Sequence, residues 1–130
     1  MFLPHKSDNG AVLPWEYPEA VPGIYKAGQL VVVNAAGMIA PITALLATTP
    51  PYLCMADLEV TADEPILPVT RISKEHIYET TLNEDIETLA VGMKLRVSNG
   101  GLFAHSGAGT FEVVSLDGTA EGDAVRGRWA

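Results

Sequence analysis

Three histidines, His5, His76 and His105, one thiol at Cys54, and a serine in the run Ser106-Gly107-Ala108-Gly109 are the side chains with the most obvious chemical reach. A zinc site or a metallohydrolase needs its ligands at recurrent spacings, such as HExxH or paired CxxC. None of the histidines has such a neighbour, and Glu75-His76, adjacent in an extended run, point to opposite faces. Cys54 lies among Leu53, Met55 and Ala56, where a thiol is a small buried hydrophobe rather than an activated thiolate. A serine nucleophile needs an elbow such as GxSxG, and a phosphate cradle needs GxxxxGK[ST] or GxGxxG before a helix; the run 106–109 has neither form. Carboxylates are plentiful, but no spacing sets a pair at the separation used for glycoside hydrolysis. The expectation is a protein that is not an enzyme, with no catalytic, cofactor-binding or metal-binding residues.

Met93-Lys94 needs separate weighing. A lysine beside a methionine in a β hairpin is the place where biotin or lipoate is attached, and Glu121 to Gly127 (EGDAVRG) look like the GDxVxxG turn found with it. In attachment domains that turn precedes the lysine, whereas here it follows, and Lys94 lies inside an extended run. A second copy of the pattern removes the need for a special lysine. "AGQLVVVNAAGMIA" (27–40) aligns without a gap on "VGMKLRVSNGGLFA" (91–104): Gly28 with Gly92, Val33 with Val97, Gly37 with Gly101, Ala40 with Ala104. Gln29-Leu30 stands where Met93-Lys94 stands. Both stretches are a glycine, a strand, a turn containing glycine and another strand, so the shared residues are turn chemistry.

The elements that hold these stretches are short strands. Leu30–Val33, Met38–Ala40, Tyr52–Ala56, Ile66–Ile72, His76–Leu82, Met93–Val97, Leu102–Ala104, Thr110–Leu116 and Ala124–Trp129 are β-branched or alternating runs bounded by turn residues. Asn83 followed by acids predicts one short helix over 83–89. The spacing predicts an all-β fold, a small barrel or sandwich of short strands, with at most one or two short helices. Residues 24–130 form one β domain carrying the echo of 27–40 in 91–104. Residues 1–23, with four prolines at 4, 14, 18 and 22, predict an extended Pro-rich N-terminal arm. Its anchors are Phe2, Leu3, Trp15 and Tyr17, which dock either on their own domain or across a neighbouring subunit. Arg126 and Arg128 alternate with apolar residues in the last strand. They pair either across their own sheet or with acids of a partner, and the low worth of exposed pairs favours the first.

A chain of 130 residues suits one domain with a real core. The net charge of −8 argues against nucleic acid, whose backbone wants a basic face. The acid is concentrated: residues 57–87 hold nine carboxylates against Arg71 and Lys74. A solvated surface is the ordinary role of such a block, with a cation site or a basic partner as the alternative. Residues 27–56 carry no charge, yet Gln29, Asn34, Gly37, Pro41 and Pro50-Pro51 interrupt them too often for a membrane helix. Pro4 interrupts any leader-like apolar run at the start, so no secretory signal is expected. The single cysteine allows no internal disulfide.

The order of these parts resembles a known family. A Pro-rich start, "YKAGQLVVVNAAGMIAP", "PVTRISKEHIYET", "LAVGMKLRVSNGGLF" and "GTFEVVSLDGTAEGDAVRGRW" together resemble the small β-rich head proteins of tailed bacteriophages, especially capsid decoration (cement) proteins. The resemblance spans most of 24–130 and implies a non-enzymatic virion protein made in the host cytoplasm. It would bind the major capsid protein lattice from outside and stabilise it, with no cofactor, and a homotrimer at local threefold positions belongs to the same expectation. Other head or tail components, and a small-ligand or glycan-binding β domain, are the alternatives.

Overall fold

A computed structural model describes residues 1–10, 12–98, 101–103 and 109–130. Thirteen strands follow in order: β1 (Leu3–Ser7), β2 (Trp15–Glu16), β3 (Gly23–Tyr25), β4 (Leu30–Val33), β5 (Ile39–Pro41), β6 (Tyr52–Cys54), β7 (Leu58–Val60), β8 (Val69–Arg71), β9 (His76–Thr81), β10 (Lys94–Ser98), β11 (Gly101–Phe103), β12 (Phe111–Leu116) and β13 (Ala124–Trp129). They form a six-stranded sheet, β1-β9-β13-β12-β10-β11, a five-stranded sheet, β2-β8-β6-β4-β5, and the pair β3-β7. All ladders are antiparallel. The protein is all-β, and among the described residues there is no helix.

Alternation along the five-stranded sheet explains its composition. Val31 and Cys54 point into a small cluster with Tyr25, Ile39, Leu67 and Val69. Their neighbours Leu30 and Leu53 point the other way, into the large cluster with Tyr78, Leu95, Val113 and Trp129 of the six-stranded sheet. The middle sheet is therefore apolar on both faces, and a strand buried on both faces has no place for charge. This is the physical reason that residues 27–56 carry none. Each buried leucine contributes about 1.5–3 kcal/mol.

The two large sheets repeat one topology. The order β2-β8-β6-β4-β5 matches β9-β13-β12-β10-β11 place for place. In each, the end strand is followed by a parallel bridge to the opposite edge, Ala20 with Ile39 and Leu82 with Leu102. The bridges curl both sheets, but neither closes into the expected barrel, since one bridge is not a ladder. The hairpins β4–β5 and β10–β11 are the two stretches aligned in the sequence. Val31 pairs with Tyr52 and Leu95 with Phe111, so β4 and β10 keep the gapless alignment. The turns differ: Val33 pairs with Ile39, but Val97 with Leu102, so the second turn is one residue shorter. In the first turn, the Asn34 side chain accepts the N–H groups of Ala36 and Met38, and Gly37 takes φ 78°. In the second, Asn99 and Gly100 lie outside the described residues, as do Ala104, His105 and most of the run 106–109.

Two expectations change. No helix forms over 83–89, because its backbone is paired elsewhere: Asn83 N–H donates to the Leu102 carbonyl and Ile86 N–H to that of Thr119. The caps are also diverted, Asn83 to the Ser98 hydroxyl and Asp85 to the Glu121 N–H. Nor do residues 1–23 stand apart as an arm. β1 pairs with β9, β2 with β8, and Ala20 belongs to the small cluster. Phe2 is wholly buried against Phe111 and Trp129, with ring centroids 5.6 and 5.3 Å away. Its N–H donates to the Gly28 carbonyl, and Thr80 donates its hydroxyl to the Met1 carbonyl. Pro4 sits in an edge strand, where a missing donor costs least.

Candidate functional site

The residues expected to meet a partner divide into three groups. Phe2 is spent in the core, and Leu3 is half exposed on β1. The arginines are paired within the chain. Arg126 donates to Glu79 (2.9 Å) and to both oxygens of Asp117 (3.1 and 3.3 Å), and Arg128 to Asp8. His5 stands 3.7 Å from the same Glu79 carboxylate. The hydrogen bond from Arg126, then its charge, holds the Asp117 carboxyl below its ordinary pKa. Trp15 and Tyr17 are the third group, 48% and 61% exposed.

Their exposure follows from the strand they occupy. Leu67 N–H donates to the Pro18 carbonyl and Ala20 N–H to that of Pro65, so the even-numbered residues of 16–20 turn their backbone groups to β8. Trp15, Tyr17 and Glu19 turn theirs outward. Ile39 takes the Glu19 carbonyl, and nothing takes those of Trp15 or Tyr17 among the described residues. The side chains of 15 and 17 share a face with Thr70, Pro68 and Ile66 on the opposing chain. That face continues the one that Leu53 buries, but here it is open, with Ile66 43% exposed. Beside it, a cleft of about 270 Å³ lies between β1 and β2, lined by Pro4, Val12, Leu13, Trp15, Met55, Thr70 and His76. The Thr70 hydroxyl donates to the Pro14 carbonyl. The result is an apolar strip beside an unpaired strand edge.

Charge surrounds the strip unevenly. At one end, Arg71 donates to both oxygens of Glu16 and to the Tyr52 hydroxyl, with its guanidinium 4.9 Å from the Tyr52 ring centre. That hub is internally neutralised. At the other end stand the exposed Glu19, Asp63 and Glu64, with no ion pair among the described residues. Ile66 and Pro68 were not singled out from sequence. The signal for both was the partner strand, since Ile66 and Glu19 are bridged.

Elsewhere, Cys54 is buried, and burial is the main cause that pushes its thiol pKa up, which disfavours the thiolate. No group of three or more His, Cys, Asp or Glu able to hold a metal occurs among the described residues. Lys94 is exposed on β10, paired in register with Glu112. No helix among the described residues is long and apolar enough to cross a membrane. No family model and no curated protein matches the chain.

Proposed function

We propose that this chain is a capsid decoration protein of a tailed phage, a non-enzymatic virion component that binds the outer lattice of major capsid protein. The observation that carries the reading is the strip of Trp15, Tyr17 and Ile66 on a strand edge, joined to the family resemblance of the sequence. Aromatic side chains held on a rigid sheet make good interface anchors, because little entropy is lost when they dock. Binding only the finished shell stabilises it by mass action. Homotrimers at local threefold positions belong to the same reading.

The test is co-sedimentation with expanded heads of the phage that encodes the chain. Residues 1–23 supply Phe2 and Ala20 to the core and β1 and β2 to the sheets, so deletion would confuse binding with folding. The variant of choice is Trp15→Ala with Tyr17→Ala. The wild type is expected in the pellet and the variant in the supernatant, with unchanged thermal unfolding. A wild type that stays in the supernatant sinks the reading.

The cleft beside Trp15 favours one other reading, a small-ligand or glycan site. Trp129 is wholly buried and Trp15 is not, so a ligand-induced shift in the exposed tryptophan's emission would speak for it. Trp15→Phe would abolish that shift.

A further inference from the structure

The two topologically equivalent sheets differ at one edge. In the six-stranded sheet, β9 is covered on its outer side by β1, with Leu3 opposite Glu79 and Lys6 opposite Ile77. In the five-stranded sheet the strand in that place is β2 and its continuation to Ala20. Matching the parallel bridges at Ala20 and Leu82 sets Tyr17 in the place of Glu79 and Trp15 in that of Ile77. These are the two residues whose outward N–H and C=O groups have no partner among the described residues. The molecule thus displays an occupied and an empty version of one edge.

From this we infer that the β2 edge accepts an antiparallel strand from another protein, as β9 accepts β1. The occupant is an extended segment with alternating apolar side chains and a basic end. Its backbone bonds to Trp15 and Tyr17, and its apolar side chains cover the strip of Trp15, Tyr17 and Ile66. Its lysines or arginines meet Glu19, Asp63 and Glu64, which no base of this chain neutralises among the described residues. The same acids disfavour a second copy of this chain, which carries a net charge of −8. The inference rests on the surface used in the capsid reading and names the form of partner that it takes. Main-chain bonding supplies the attachment, and the acidic end sets its direction.

The probe is a synthetic ten-residue peptide of alternating valine and threonine closed by two lysines, with a twin closed by two glutamates. Amide exchange at Trp15 and Tyr17 is followed by NMR. The lysine peptide is expected to slow both by about tenfold or more at saturation, and the glutamate twin to bind about tenfold more weakly. Tyr17→Pro removes one outward N–H while leaving the ladder to β8 intact, so it should abolish protection. Tyr17→Ser, which keeps the N–H, should retain part of it. Unchanged exchange, or equal binding of the two peptides, overturns the inference. So does protection that rises with protein concentration alone, which would make a second copy the occupant. Capsid binding separates the two claims. Tyr17→Pro that folds and still pellets with heads refutes strand addition and leaves the decoration reading standing. Peptide protection without any head binding does the reverse.

Discussion

The two five-strand units, residues 15–71 and 76–129, share a topology and differ in what they show on the outside. Lys94 and Glu112 of the second unit stand on its solvent face. The residues in their places in the first unit are Leu30 and Leu53, both in the large cluster. One unit is thus an ordinary half-buried sheet, and the other is sandwiched. The edges are distributed the opposite way. The sandwiched unit leaves its end strand open, and the half-buried unit has its end strand covered by β1. A repeated backbone plan carries different outward side chains, one copy for packing and the other for a charged surface.

Exchanging residue types between equivalent places is the strongest way to break this comparison. Leu30→Lys puts into the first unit what the second carries, and leaves an ammonium in the core without a partner. The expected loss is about 4–5 kcal/mol or more, enough to unfold a domain of this size. Lys94→Leu, the reverse change, should stay within about 0.5 kcal/mol because the site is exposed. Urea denaturation of both variants reads the asymmetry directly. Equal effects would mean that the two outer faces are not differently buried.

Phe2→Ala tests the covered edge. Its ring fills the large cluster beside Trp129, so truncation should cost about 3–5 kcal/mol and move the tryptophan emission to the red. A loss below about 1 kcal/mol would make β1 an ornament of the sheet rather than part of it.

The turn glycines sharpen the comparison further. At Gly101 a Cβ would collide with the Thr81 carbonyl, where the second sheet curls back on itself, whereas at Gly37 it would meet nothing. Gly101→Ala is expected to cost about 2–3 kcal/mol, more than the about 1–2 kcal/mol of left-handed strain at Gly37→Ala. Thermal unfolding of the pair ranks them; the opposite order would place the tight approach in the first sheet.

Much of this plan is legible in local patterns. Ala124–Trp129 has the bounds expected of it, and the uncharged span 27–56 signals burial on two faces. What escaped sequence reasoning depends on partners. β1, β2, β3 and β7 are short or proline-bearing, and they exist because β9, β8 and each other supply their bonds. The helix signal at Asn83 was real chemistry spent elsewhere, on Ser98. The two exposed aromatics were visible by type. The empty edge beneath them was not, because an edge is empty only relative to a neighbour that another part of the chain could have provided.

The smallest effect concerns the arginine hubs, which also differ between the units. Arg71 of the first unit donates to Glu16 and to the Tyr52 hydroxyl, and Arg126 of the second bridges Glu79 and Asp117. The Asp117 carboxyl is held below its ordinary pKa of 3.8, first by the hydrogen bond from Arg126 and then by its charge. A depressed carboxylate pKa stabilises the fold above the unfolded value, and the effect is lost as pH falls through the folded value. Asp117→Asn should therefore lower the melting temperature slightly at neutral pH. The gap to wild type should stay constant down to the region of pH 3.8 and close below it. Solvent and salt screen this exposed pair, so about 1 M salt should narrow the gap at every pH. A gap that persists under acid would show that Asp117 acts through its turn, where its N–H donates to the Ala124 carbonyl, and not through its charge.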